Sequence, residues 1–141
     1  MIVLDTNVVS ELVKPQPDPA VRAWVNGRPA ETMFVTAITE AEMLFGVSLM
    51  ADGRRRNALR LGILTVFGTV FASRILPFDS AAATEYGDWA ADRRRKGRPV
   101  GIADLQIAAI ARVRGATTIA TRNAKDFGDC GIPVADPWLG P

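Results

Sequence analysis

The chain has 141 residues, 48% hydrophobic and 23% charged, enough apolar material for a real core and a length that suits one domain, expected over 1–141. It contains no histidine and a single cysteine, Cys130, which excludes imidazole acid–base chemistry, sulfur-rich metal sites and an internal disulfide. Any reaction must run on carboxylates, and the formal net charge of +2 conceals arginine clusters at Arg54-Arg55-Arg56 and Arg93-Arg94-Arg95-Lys96.

Met1 to Leu4 reads as a short buried strand that delivers Asp5 to its carboxyl end, where open α/β sheets place their ligands. Val8 to Val13 follows as a short helix closed by Pro15, and Pro15-Gln16-Pro17-Asp18-Pro19 as a stiff connector. Asp18 is expected to cap a second helix with Pro19 at its first position and Gly27 at its end. Met33 to Val35 is a short β-rich run, and Thr39 opens a helix running toward Met50. The first arginine cluster begins another helix that continues to about Ala72.

Within that helix the apolar stretch Leu59 to Ala72 contains Arg60 and is shorter than the roughly 20 residues a membrane span needs. Its Leu59, Leu61, Ile63, Leu64, Val66, Phe67, Val70 and Phe71 exceed what one helix face buries in so small a domain. Part of it is expected to pack against a second copy or a partner. A strand at Ile75-Leu76 is cut off by Pro77, and Asp79 caps a helix from Ser80 to Lys96. Gly97 to Gly101 reads as a loop, Ile102 to Arg114 as a helix stopped by Gly115, Thr117 to Ala120 as a strand, and Val134-Ala135 as a last edge strand. Short strands alternating with helices indicate an α/β fold with a parallel sheet covered on both faces. No basic leader precedes a long apolar run, so a cytoplasmic protein is expected, without a membrane anchor.

Asp5, Glu42 and Asp104 are the acids expected to share one pocket, where a hard divalent cation with oxygen ligands is the natural occupant. Each also has an ordinary structural role open to it. Asp5 could cap the helix near Val8, unless Thr6 does so and leaves Asp5, with Asn7 beside it, to project into the crevice. Thr39-Glu40-Ala41-Glu42 matches a capping box, which would put Glu42 on a first helical turn. Glu40 is the alternative ligand, but Glu42 is flanked by Met43, Leu44 and Phe45, a more buried setting. Asp104 lies in Gly101 to Ala111, a helix apolar nearly all round, where a carboxylate is costly unless paired or metal-bound. Its competing role is a first-turn aspartate complementing the helix dipole.

Asp88 and Asp92 sit among arginines and read as solvated. In Thr121-Arg122-Asn123-Ala124-Lys125-Asp126-Phe127 the polar groups again leave a strand at its carboxyl edge, making Asn123 and Asp126 candidates. Asp126 equally suits a turn or helix cap. The arginine clusters suit a phosphate-bearing partner or two solvated helix ends, and cations before Gly97 fit the negative end of a helix.

Together, Ile2-Val3-Leu4-Asp5-Thr6-Asn7, Ala37-Ile38-Thr39-Glu40-Ala41-Glu42 with Gly46-Val47, Leu76-Pro77-Phe78-Asp79, Ile102-Ala103-Asp104 with Ile107-Ala108, and Ala120-Thr121-Arg122-Asn123 resemble the PIN-domain ribonucleases. Within them the chain resembles the VapC-type toxins of bacterial toxin–antitoxin pairs, especially the FitB-like branch, and the resemblance covers almost the whole chain. It implies a three-layer α/β/α fold with a short, mainly parallel sheet, a Mg²⁺ or Mn²⁺ requirement, endonucleolytic RNA cleavage leaving a 3′-hydroxyl and a 5′-phosphate, a homodimer, and a cognate antitoxin that blocks the site. Matched by position, Asp5, Glu42 and Asp104 form the family's acidic triad, with Asp5 and Asp104 as metal ligands. The family often has a fourth acid where this chain has Asn123, which can orient water but adds no charge, so a second metal depends on Asp126. Arg122, Lys125 and one arginine cluster are expected to neutralise RNA phosphates.

Two other readings are weighed against this one. A strand-end aspartate could itself attack phosphate, but enzymes of the haloacid-dehalogenase type want a second aspartate two residues on, where Asn7 stands. Alternatively the same crevice belongs to a PIN-like binding module that docks a basic segment of a DNA-binding antitoxin partner with little or no catalysis, a reading Asn123 favours.

Overall fold

The structure, a computed structural model, describes residues 1–98 and 100–140. Side chains alternate across a strand, and here both sets are apolar. In β1 (Ile2–Leu4) Leu4 enters the core on one face and Val3 on the other; in β4 (Thr118–Ala120) Ala120 and Ile119 divide in the same way. A strand apolar on both faces must be covered twice, the condition met by parallel sheets. With β2 (Met33–Thr36), β3 (Ile75–Leu76) and β5 (Val134–Ala135) these strands form one five-stranded sheet, ordered β3-β2-β1-β4-β5 and parallel throughout.

One face is covered by α1 (Thr6–Leu12), α2 (Pro19–Asn26), α3 (Ala37–Ser48) and α4 (Arg54–Thr65), which contribute Val8, Val21, Met43 and Ile63 to the first core cluster. The other is covered by α5 (Ser80–Arg95), α6 (Ile102–Val113) and α7 (Ala124–Phe127), which contribute Trp89, Ile107 and Phe127 to the second. The result is the three-layer α/β/α arrangement expected. From β1 the chain passes to one side, toward β2, and from β4 to the other, toward β5. The crevice between their carboxyl ends is therefore the switch point of the sheet, where α/β folds bind ligands.

The differences from the sequence-based expectation lie at helix starts. The first helix begins at Thr6 rather than Val8, with Asp5 as its cap. The third begins at Ala37, two residues before Thr39, because the Thr36 hydroxyl accepts from the Thr39 amide at 3.0 Å. The expected capping box from Thr39 to Glu42 is therefore absent, and Glu42 lies on the second turn. The fourth helix continues past Thr65 into a π-helical turn, Val66–Val70. Its apolar stretch divides: Ile63, Phe67 and Phe71 are buried, while Leu61, Leu64 and Val70 are exposed, as are Phe45 in α3 and Leu49 at its C-cap. The short α7 contains Asp126, which was expected to stand in a turn or at a helix cap. Gly115 closes α6 as expected, in the left-handed conformation (φ 68°) that favours glycine. The loop expected from Gly97 to Gly101 includes Pro99, which lies outside the described residues. Among those residues no helix is long and apolar enough to cross a membrane.

Helix α6 is buried at Leu105, Ile107, Ala108, Ala109, Ile110 and Ala111, so it has little room to relax around a lost side chain. Ile107→Ala is expected to lower unfolding free energy by about 2–5 kcal/mol, measured by urea denaturation.

Candidate active site

Strand register builds the site. Leu4 pairs with Ala120, and the Asp5 amide donates to the Ala120 carbonyl at 3.0 Å, so the residues that follow, Asp5 and Thr121, leave the sheet side by side. Asp5 is only 2% exposed. Its Oδ1 accepts from the Thr6 amide at 2.7 Å, and its Oδ2 accepts from Asn7 Nδ2 at 2.8 Å and from the Thr121 hydroxyl at 2.6 Å. Asp5 thus caps α1 and lines the crevice at once; the alternative in which Thr6 is the cap does not occur.

Thr121 uses its hydroxyl fully, donating to Asp5 while accepting from Asn7 Nδ2 and the Asn123 amide, each at 3.0 Å. Asn7 Oδ1 accepts from the Arg122 amide at 3.2 Å, tying the start of α1 to the loop after β4. Thr121 had not been singled out by sequence. The signal was available: once β1 and β4 are taken as parallel neighbours, equal offsets from their ends make it the partner of Asp5.

Glu42, released from capping, accepts at Oε2 from the Thr6 hydroxyl at 2.5 Å. Asp104 occupies the third position of α6 and accepts no hydrogen bond among the described residues; its carboxylate folds back over Gly101, where a Cβ would stand 3.0 Å from Oδ2. Burial pushes the Asp104 carboxyl up to about 6, helped by repulsion from Asp5, Asp126 and Glu42. Burial also raises Asp5, with hydrogen bonds from Thr121 and Thr6 pulling the other way and the charges of Glu42 and Asp126 adding to the rise. These acids therefore feel one another across a single region. Glu42 is the glutamate so coupled, and Asp126 joins it from α7. Asn123 precedes that helix with its side chain exposed and not engaged in capping.

Among the described residues no three acidic side chains approach closely enough to clasp one ion directly. The donor chemistry nevertheless fits Mg²⁺ or Mn²⁺. All donors are oxygens, burial and mutual repulsion favour a neutralising cation, and Mg²⁺ commonly keeps several waters while taking only one or two carboxylates. A cleft of about 660 Å³ opens from Glu42 between α1, α3 and α4, with Ser10, Lys14 and Arg55 on its walls. In the loop after β4, the Arg122 guanidinium lies 4.9 Å from the Trp138 ring centre. The second arginine cluster is not wholly solvated: Arg93 is buried.

Fold and geometry define an α/β protein with a carboxylate-only centre at the switch point of its sheet. The PIN-domain family model matches residues 2–130. The chain is 41% identical over 138 residues to the VapC ribonuclease Y4jK of Sinorhizobium fredii, covering 98% of both chains. It is 38% identical over 138 residues to the toxin FitB of Neisseria gonorrhoeae, covering 98% of this chain and 99% of that one. The crystal structure of FitAcB from Neisseria gonorrhoeae superposes with a TM-score of 0.88 at 38% identity, over 98% of this chain and 99% of the other. That of DNA-bound VapBC from Salmonella typhimurium superposes at 0.78 with 29% identity, over 96% and 97%. The chain belongs to the PIN-domain family, in the FitB-like branch of VapC-type toxins of toxin–antitoxin systems.

Two outcomes follow from the acid geometry. The folded pKa of Asp104, about 6, lies above its ordinary 3.8, so the folded state holds this proton more tightly than the unfolded chain does. The contribution is fully present below the ordinary value and is lost as pH rises through the folded one. Metal-free protein should show this loss between about pH 4 and pH 6, Asp104→Asn should flatten it, and Mg²⁺ should raise the melting temperature more at pH 7.5 than at pH 5. Gly101→Ala should displace the Asp104 carboxylate and weaken Mg²⁺ binding about tenfold in a calorimetric titration, with the fold retained.

Proposed function

We propose that this chain, acting as one PIN-like domain over 1–141, is the toxin of a type II toxin–antitoxin pair, a divalent-metal-dependent endoribonuclease that hydrolyses RNA phosphodiester bonds. The observation that best supports this reading is Asp5, buried at the switch point with its carboxylate held by Thr6, Asn7 and Thr121, beside Glu42, which is bonded to the neighbouring Thr6 hydroxyl.

Asp5 and Asp104 are the residues that would hold Mg²⁺ or Mn²⁺, which supplies Lewis-acid polarisation of the phosphoryl oxygen. Thr6, Asn7 and Thr121 fix the Asp5 carboxylate in one orientation, while Asp104, without hydrogen-bond donors of its own among the described residues, keeps both oxygens available. Glu42 Oε2 is occupied by the Thr6 hydroxyl, leaving Oε1 to orient the attacking water and take its proton. Asp126 adds the fourth negative charge, and Asn123 is placed to orient water. Arg55 in the cleft, with Arg122 and Lys125 after β4, would neutralise the strand on either side of the scissile bond.

A protein antitoxin is the proposed partner, by likeness to FitAcB and VapBC, and a homodimer the proposed assembly. Phe45 on α3, Leu49 at its C-cap, and Leu61 and Leu64 on α4 are exposed apolar side chains that such contacts would cover. The proposed working compartment is the cytoplasm.

Purified chain should cleave a labelled RNA with Mg²⁺ and lose that activity in EDTA. Asp5→Asn and Asp104→Asn should abolish cleavage with folding intact, and Glu42→Gln should slow it about 10²- to 10⁴-fold. Full activity in EDTA would overturn the metal mechanism. Tight binding of a DNA-binding antitoxin without cleavage under any divalent metal would favour the binding-module reading.

A further inference from the structure

At the end of α5, Arg94, Arg95 and Lys96 are exposed, as a solvated terminus would be, but Arg93 is 6% exposed. Its guanidinium carbon lies 5.4 Å from the Trp89 ring centre, and its Nε donates to the Arg98 carbonyl at 3.3 Å. Its Nη1 is buried without a hydrogen-bond partner among the described residues. The carboxylate facing it, Asp129 Oδ2, is 3.9 Å away, beyond hydrogen-bond range, and is drawn instead to Arg98 at 3.3 Å. A buried guanidinium with an unused donor is a costly arrangement that an anionic acceptor would relieve.

The surroundings supply room for one. A cleft of about 750 Å³ is lined by Arg93, Lys96 and Arg98, against only two carboxylates, Asp92 and Asp129. Glycines 128 and 131 also line it and add no side chains on either side of Asp129. Asp92 is engaged by Lys96 at 2.7 Å, and the Asp129 side chain is half-exposed and can yield to a stronger acceptor. In the chain, Arg98 shortly precedes α6, whose first turn carries Asp104, and Gly128 directly follows α7, which carries Asp126.

We propose that this cleft is a phosphate-binding subsite, with Arg93 Nη1 donating to a phosphate oxygen and Lys96 and Arg98 balancing its charge, and that it seats a backbone phosphate of the RNA strand beyond the scissile bond. The phosphate chemistry follows from the cleft alone; RNA as its source rests on the nuclease reading above.

The test uses ¹⁵N-labelled full-length Asp104→Asn chain, titrated separately with inorganic phosphate and with a single-stranded RNA oligonucleotide. Both should shift the Nε–H signals of Arg93 and Arg98 and the amides of Gly128 and Gly131. Replacing exposed Lys96 and Arg98 together by Ala should weaken RNA binding about tenfold at low salt and flatten the log K against log salt slope by about 0.7 per lost phosphate contact. Asp129→Asn should tighten phosphate binding. Arg93→Met, which keeps apolar contact with Trp89, should abolish it; if that variant does not fold, the Lys96 and Arg98 pair decides. Unmoved signals with both probes would overturn the proposal. Shifts with phosphate alone would overturn RNA as the source. Parent chain that cleaves no RNA but still shows phosphate shifts would sink the nuclease reading and leave the subsite standing.

Discussion

Three donors converge on one carboxylate at the centre of this protein. Without the Thr6 amide, the Asn7 side chain and the Thr121 hydroxyl, an aspartate as buried as Asp5 would impose a large desolvation penalty at the end of an apolar strand. With them, the carboxylate becomes a fixed point around which the crevice is arranged. The donors come from both ends of the chain, so the same bonds that orient an acid also join α1 to the loop after β4. Positioning and stability are here one set of interactions.

The four acids stand in contrasting environments. Asp5 is saturated with hydrogen bonds and immobile, whereas Asp104 accepts none among the described residues and is held mainly by its place over Gly101. One carboxylate sets the geometry, and the other remains available for a ligand. Such a division of labour between neighbouring acids arises from environment rather than residue type. It also explains why burial raises both groups, yet Asp104, without the hydrogen bonds that pull Asp5 back down, is the one lifted to about 6.

Much of the fold was legible because apolar runs and breakers obey local rules: Asp18-Pro19 opens α2, Gly115 closes α6, and both faces of β1 are apolar. What escaped depended on contacts between distant segments or on competition between neighbouring hydroxyls. Thr36 and Thr39 are equally good caps by composition, and only the extended backbone at Thr36 decides between them. The Thr39 to Glu42 pattern misled for that reason. Asp5, Glu42 and Asp104 could be named as candidates because carboxylates among apolar residues stand out. Thr121 could not, because its meaning comes from strand register. Asp126 looked like a turn residue, and four residues of helix were too few to leave a periodic signal. Arg93 was hidden among equivalent neighbours, since nothing in a run of arginines says which one turns inward.

The bond between Asp5 and Thr121 spans 116 positions, and β1 needs β4 as one of its two neighbours. During synthesis the first strand therefore waits, with half of its pairing groups unsatisfied, until β4 has been made more than a hundred positions later. A partly made molecule has its first two acids but lacks the clamp that aims one of them. Sequence separation on this scale slows assembly, and it acts as a timer: the crevice at the switch point cannot take its final form before β4 and Thr121 have been synthesised.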